Sequence, residues 1–233
     1  MKRFILPFLA LFAISAPAEW HYDPEGRNLA QGDVELWNVT ANGKALAIGE
    51  NACNSTASEV DLSTGVADGW TVVRIERDAF AGHPTLSRVV FPDTLESIGD
   101  SAFAFCSNLA CSVSLPASLR GALDRTFSGS PVTGDVVVPD GVTSMVETFR
   151  GTRITSLVCG TGLEEVRGCD GLCAGCTALT NVEFRRAARS APSSSPAARR
   201  CAASRCIPGW AASGPRRSAA ARRSAATSSC PAA

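Results

Sequence analysis

A phenylalanine returns along this chain at a nearly fixed interval: Phe80, Phe103, Phe127 and Phe149, with Cys173 next in the same place, in steps of 23, 24, 22 and 24 residues. Three residues after each anchor stands a small or polar group, His83, Cys106, Ser130, Thr152 and Cys176. Five or six residues after each stands an aliphatic one, Leu86, Leu109, Val132, Ile154 and Leu179. Self-similarity at such a period is the mark of a stacked repeat. Each aliphatic opens an alternating run, Leu86-x-x-Val89-x-Phe91, Ile154-x-x-Leu157-x-Cys159 and Leu179-x-x-Val182-x-Phe184, with one extra residue in Leu109…Val113-x-Leu115 and Val132…Val136-x-Val138. Alternation places these side chains on one face of a strand. Pro92, Pro116 and Pro139 close the strands, since proline cannot donate to a ladder. Leu95 and Ile98, Leu119 and Leu123, Val142 and Met145, then Leu163 and Val166 carry the inward pattern to the next anchor. An evenly spaced β-sandwich does not explain the recurring phrase. One such unit cannot bury its own apolar face, so the pattern predicts about five units stacked over residues 70–184 around one continuous core.

The phrase Leu95-x-x-Ile98-Gly99-x-x-Ala102-Phe103-x-x-Cys106-x-x-Leu109, followed by Val113-x-Leu115-Pro116, resembles the repeat of BspA-like bacterial leucine-rich-repeat proteins. The resemblance implies an α/β repeat, a leucine-rich-repeat solenoid with a parallel sheet on one face. It also implies export, display at a bacterial surface and, for some members, adhesion to host proteins or other cells. Cys173 in place of phenylalanine and Gly160 in place of the strand-ending proline depart from the pattern in the last units. Residues 19–69 are expected to form a β-rich N-terminal cap, in which Leu36 to Ile48 reads as a hairpin turning at Asn42-Gly43, where positive φ is readily adopted.

The formal charge of zero conceals a division. Residues 185–233 hold 10 Arg, 16 Ala and 10 Ser and no Asp, Glu or Lys, which leaves 12 basic against 22 acidic residues in the first 184, a net of −10. By composition the tail is a disordered basic segment. A sharper reading is a one-base slip of the reading frame after Phe184. Shifted codons restore the repeat phrase at Ser190, Ser195, Ala198 and Cys201, and again at Ser213, Ser218, Ala221 and Ser224, so that position 195 follows Cys173 by 22 residues and position 218 follows 195 by 23. The nucleotide sequence around codon 184 tests this reading.

At the other end, Lys2 and Arg3, the apolar residues 4–14 and Ala16-Pro17-Ala18 form the three parts of a secretory signal, with cleavage expected after Ala18. Eleven apolar residues fall short of the ~20 that span a bilayer, so no transmembrane segment is expected. Ten cysteines in an exported chain invite disulfides, yet three of them, Cys201, Cys206 and Cys230, lie in the tail and seven, an odd number, in the body. Cys169-x-x-x-Cys173-x-x-Cys176, with Cys159, resembles part of a zinc site. The repeat instead turns Cys173 and Cys176 inward, where a thiol packs as a small hydrophobe, and a Cys173–Cys176 or Cys169–Cys173 disulfide stays open.

His83 occupies a repeat slot and His21 lies near the mature N-terminus, so neither reads as a base or ligand. Asn38-Val39-Thr40 and Asn54-Ser55-Thr56 match a glycosylation acceptor, which matters only in a eukaryotic host. No phosphate-cradling glycine loop, nucleophile elbow or paired acidic motif occurs, and the expectation is a protein without catalytic residues, cofactor or metal. Export argues against nucleic acid as the target of the basic tail. The expected role is a protein-binding or adhesion scaffold whose partner is an extracellular protein or glycan. The alternative is a structural stalk or spacer for a C-terminal domain or anchor lost with the frame. In each strand the residues between the buried ones point outward, which nominates Arg88, Val90, Ser112, Ser114, Asp135, Val137, Ser156, Val158, Asn181 and Glu183 as the binding face.

Overall fold

The computed structural model describes residues 19–53, 56–163 and 169–185. The expected signal segment, the tail beyond Arg185 with its frame reading, and Asn54 lie outside them. The first strands, β1 (His21–Asp23), β2 (Asn28–Gln31) and β3 (Val34–Leu36), form an antiparallel meander. It buries Leu29, Leu36 and Val39 against the end of the stack. Trp20, fully buried, anchors it by donating its indole N–H to the Asp61 carbonyl at 2.7 Å. The hairpin at Asn42-Gly43 is present, with β4 (Thr40–Asn42) antiparallel to β5 (Ala45–Ile48) and Gly43 at φ 62°.

From β5 onward the ladders between coils are parallel. β5 pairs with β7 (Thr71–Ile75), which pairs with β9 (Ser97–Ile98). Further along, β10 (Gly121–Ala122) pairs with β12 (Val142–Ser144). On the expected sheet face β6 (Glu59–Asp61) pairs with β8 (Arg88–Val90), and β11 (Thr133–Val137) pairs with β13 (Arg153–Cys159), itself paired with β14 (Asn181–Phe184). Parallel pairing therefore follows two stretches of each coil rather than one, and it reaches back into the segment read as a cap. Asn51 and Ala52 donate to the carbonyls of Asp78 and Ala79, and Asn51, left-handed at φ 49° as Asp78 is at 53°, places Cys53 in the anchor slot one coil before Phe80.

The anchors form one column. Phe80 stacks on Phe103 with ring centroids 4.8 Å apart, Phe103 on Phe127 at 5.6 Å and Phe127 on Phe149 at 5.9 Å, with the planes within 14° of parallel. Phe91 meets Phe103 edge-on at 5.6 Å. Each contact of this kind contributes about 0.5–1.5 kcal/mol beyond the apolar area that it buries.

The α/β expectation is corrected to a β-solenoid of about five turns. Among the described residues the one α-helix is α1 (Cys169–Leu172), with short 3₁₀ turns at Leu62–Thr64 and Ala67–Gly69. Two features of the anchor turn prevent a longer helix. The residue two before each phenylalanine is left-handed, with φ of 53° at Asp78, 58° at Ser101, 49° at Arg125 and 50° at Glu147, and so is the residue two after it. Left-handed residues end a right-handed helix, so little more than one turn can form between them. The anchor N–H groups are also engaged across coils: Phe80 donates to Ala102, Phe103 to Thr126, Phe127 to Thr148 and Phe149 to Leu172. A helix would need those donors for its own carbonyls.

Candidate functional site

The ten nominated side chains alternate along the coils with buried Val89, Val113, Leu115, Val136, Val138, Leu157 and Cys159. Register sets them in rows. Asp135, Ser156 and Asn181 are successive partners across β11, β13 and β14, and Val137, Val158 and Glu183 are the next row. Asn181 Nδ2 donates to Ser156 Oγ at 3.2 Å, and the Thr155 hydroxyl donates to Asp135 Oδ1 at 2.7 Å. Val137 stays 48% exposed, a large apolar side chain in the middle of the face.

The face is not a continuous ladder. Between β8 and β11 the chain from Cys111 to Pro116 makes one bridge, Ser112 to Thr133, and none to β8 among the described pairings. A cleft of about 350 Å³ opens where β8 and this segment part, and it gathers Arg88, Val90, Ser112 and Ser114 with Asp93 and Cys111. A second, of about 200 Å³, lies on the other flank and gathers Ser112 and Ser114 with Asp135 and Val137. Ser156, Val158, Asn181 and Glu183 belong to neither cleft and extend the face along β13 and β14. The Arg88 guanidinium lies 3.9 Å from the Glu59 carboxylate, both more than half exposed. Glu59, Asp93, Cys111 and Thr155 were not among the nominated residues. For Glu59 the signal was the phrase Ile48-Gly49-x-x-Ala52-Cys53, which repeats the unit one coil earlier.

A second surface runs along the anchor turns. The slot two after each anchor holds Gly82, Gly129, Gly151 and Gly175, all with φ between 67° and 78°, but Phe105 at φ 58° in the second coil. Phe105 is 68% exposed and lies over Gly129, where a β-carbon would meet its ring at 2.6 Å. It borders a cleft of about 340 Å³ that also reaches Arg125, Glu147 and Arg150. Arg125 clasps Asp100 through two bonds of 3.1 and 2.6 Å, which holds the Asp100 carboxyl below the usual carboxylate range against the opposing effect of its partial burial.

Under both surfaces the small-or-polar slot proves to be a set of donors. Cys106 Sγ donates to the Phe80 carbonyl at 3.0 Å, Ser130 Oγ to the Phe103 carbonyl at 2.6 Å, and Cys176 Sγ to the Phe149 carbonyl at 2.8 Å. His83 uses Nδ1 instead to accept from Leu86 N–H at 3.0 Å. These side chains are inward and committed to the backbone. The described residues contain no group of three or more His, Cys, Asp or Glu placed to hold a metal ion.

Stacked coils joined by parallel ladders around a phenylalanine column define a repeat scaffold of the leucine-rich type. Residues 73–195 match six copies of the family described as BspA type leucine rich repeat region, and the chain belongs to that family. Among solved structures it is similar to a leucine rich cell surface protein of Faecalibacterium prausnitzii A2-165, at 23% identity and a TM-score of 0.54, over 70% of this chain and 40% of that one. The chain thus spans about two fifths of that protein's length. It is also similar to a leucine rich repeat protein of T. pallidum, at 21% identity and a TM-score of 0.47, over 72% of this chain and 80% of that one. None of the curated proteins compared with the chain matches it. No helix among the described residues is long and apolar enough to cross a membrane.

Proposed function

We propose that the chain is an exported, surface-displayed scaffold that binds an extracellular protein or glycan through the face running from Arg88 to Glu183, and that it carries out no catalysis. One observation carries this reading: six outward side chains stand in register across β11, β13 and β14, and Arg88, Val90, Ser112 and Ser114 extend the face around two adjoining clefts. A solenoid presents such a face as one extended, rigid surface. Unpaired backbone beside exposed Val137 and the Arg88 guanidinium gives that surface both apolar and hydrogen-bonding contacts, the mixture found in protein interfaces. The family membership and the surface origin of the F. prausnitzii relative support the location, and the three-part pattern of residues 1–18 supports the route. The stalk reading draws on the same relative, of which this chain spans two fifths, and on the repeat phrase recovered by a frame shift after Phe184.

The test presents the immobilised chain to panels of extracellular proteins and glycans, with Arg88→Ala/Asp135→Ala/Val137→Ser as the control. The expected outcome is capture that falls at least tenfold in the triple variant while its thermal midpoint is retained. No capture by the wild-type chain, or equal capture by the variant, sinks the binding reading and leaves the stalk.

A further inference from the structure

We propose that Cys173 and Cys176 form a dithiol–disulfide pair that closes by exchange with a small-molecule disulfide and locks the turn at the start of the last described coil. The two cysteines occupy the anchor slot and the donor slot of one turn, with Gly175 at φ 78° between them. Cys176 N–H donates to the Cys173 carbonyl at 3.1 Å. A turn closed in this way keeps its end Cα atoms within about 7 Å, the reach of a disulfide. Both side chains face the core, 1% and 6% exposed. Both sulfurs are thiols in the structure.

Three observations distinguish this turn from the others. Cys106 fills the same donor slot, but the anchor in its turn is Phe103, so it has no second sulfur within its own turn. Burial pushes the Cys106 thiol up to about 11, whereas Cys176 is drawn down to about 7, first by its hydrogen bond with Cys173 and then by Thr152 and the Gly151 backbone, against the opposing effect of burial. Cys176, the more exposed of the two sulfurs and the one whose hydrogen bonds favour the thiolate, is the attacking sulfur. The carbonyl that Cys176 serves is also over-supplied: Phe149 O accepts from Thr152 N–H at 3.2 Å and from Thr152 Oγ1 at 2.8 Å as well as from the thiol. Losing the S–H donor leaves that buried carbonyl with its other two donors.

With oxidised glutathione, the Cys176 thiolate attacks one sulfur, the glutathione S–S bond breaks, and one glutathione thiolate leaves and takes up a proton. Cys173 then loses its proton and attacks the Cys176 sulfur of the mixed disulfide, expelling the second glutathione. Two protein thiols lose two hydrogens and two glutathione thiols gain them. β14, which follows this turn, leaves Val182 and Phe184 only half-buried, and local opening there gives the oxidant access.

The full chain is equilibrated in glutathione buffers from fully reduced to fully oxidised, quenched in acid, alkylated in denaturant, and its 168–185 tryptic peptide is fragmented. A Cys173–Cys176 bridge rising from absent to near complete is expected, with Cys169 alkylated throughout. Cys169→Ser is expected to keep the bridge, and Cys173→Ser to accumulate the glutathione adduct on Cys176. Two alkylated thiols at 173 and 176 in fully oxidised buffer, a stable adduct on the wild-type chain without ring closure, or a bridge to Cys169 overturns the proposal.

Discussion

Along the anchor turns nearly every inward polar atom has a backbone partner in its own or the preceding coil, and Thr126 departs from that pattern. Its slot holds Ala79 and Ala102 in the two preceding coils, and its hydroxyl is buried without a hydrogen-bond partner. Thr148, one coil on, places its hydroxyl on the Leu123 carbonyl. An unsatisfied buried hydroxyl costs about 1–3 kcal/mol, while the methyl of Thr126 contributes less than that by packing. Thr126→Ala is expected to raise unfolding stability by about 1 kcal/mol, read as a higher urea midpoint at unchanged slope. A lower midpoint would show that the hydroxyl has a partner. Phe105 departs in the opposite sense, a bulky side chain held left-handed where the other coils use glycine. Strain of that kind costs on the order of 1–3 kcal/mol, and burial returns little to a ring that is 68% exposed. Phe105→Gly is expected to raise the midpoint by about 1 kcal/mol, partly offset by the greater freedom of glycine in the unfolded chain. If the sheet face is the binding surface, ligand capture survives this change. Lost capture in a stabilised variant would move the contact to the turn edge.

At the scale of the element, the close approach between coils rests on the glycine of the Ile-Gly pair. A β-carbon on Gly99 would stand 2.4 Å from Arg77 N and 2.6 Å from Glu76 C, both backbone atoms, and Gly141 and Gly160 meet the preceding coil in the same way. Backbone cannot swing aside as a side chain does, so Gly99→Ala must push two coils apart where β7 and β9 pair. The expected cost is about 2–3 kcal/mol, measured by thermal or urea unfolding; a loss below about 0.5 kcal/mol would mean that the ladder there is already loose. This element was legible in the sequence because Ile98-Gly99, five residues before Phe103, repeats Ile48-Gly49, five before Cys53, and the strands were legible because Val113-x-Leu115 and Leu157-x-Cys159 alternate. The turns were not. Ser101, Arg125 and Glu147 adopt left-handed backbone without being glycine, asparagine or aspartate, so nothing in their identity warns that a helix cannot form. The ladder reaching back to Asn51 was hidden by Cys53 standing for phenylalanine and by a step of 27 residues, longer than any other. The outward residues were readable from alternation alone, but the clefts beside Ser112 were not, since a missing ladder leaves no mark in composition.

For the whole molecule, a stack in which each coil touches only its neighbours is held together coil by coil, and its stability is close to a sum of unit and interface contributions. The two ends of this stack differ. At the N-terminal end Trp20, Leu29 and Leu36 are fully buried under the antiparallel meander, whereas β14 leaves Val182 and Phe184 only half-buried. The phenylalanine column is likewise asymmetric, since Phe149 stacks on Phe127 on one side and meets the Cys173 slot on the other. Removing the Phe127 ring deletes both of its stacking contacts, at 5.6 and 5.9 Å, together with a fully buried side chain. Phe127→Ala should therefore cost about 3–5 kcal/mol, and the loss falls on the interfaces that couple the coils before and after it. A globular core would spread such a loss over the whole fold. In a stack it uncouples two halves, and the half that ends on half-buried Val182 and Phe184 opens first. Hydrogen exchange followed peptide by peptide is expected to show protection in β13 and β14 falling at least tenfold more than in β5 and β7. Phe80→Ala, next to the capped end, is expected to leave β13 and β14 close to wild-type protection. Uniform loss of protection in both variants would mean that the chain unfolds as one cooperative body, in which case the coil-by-coil description of its stability fails.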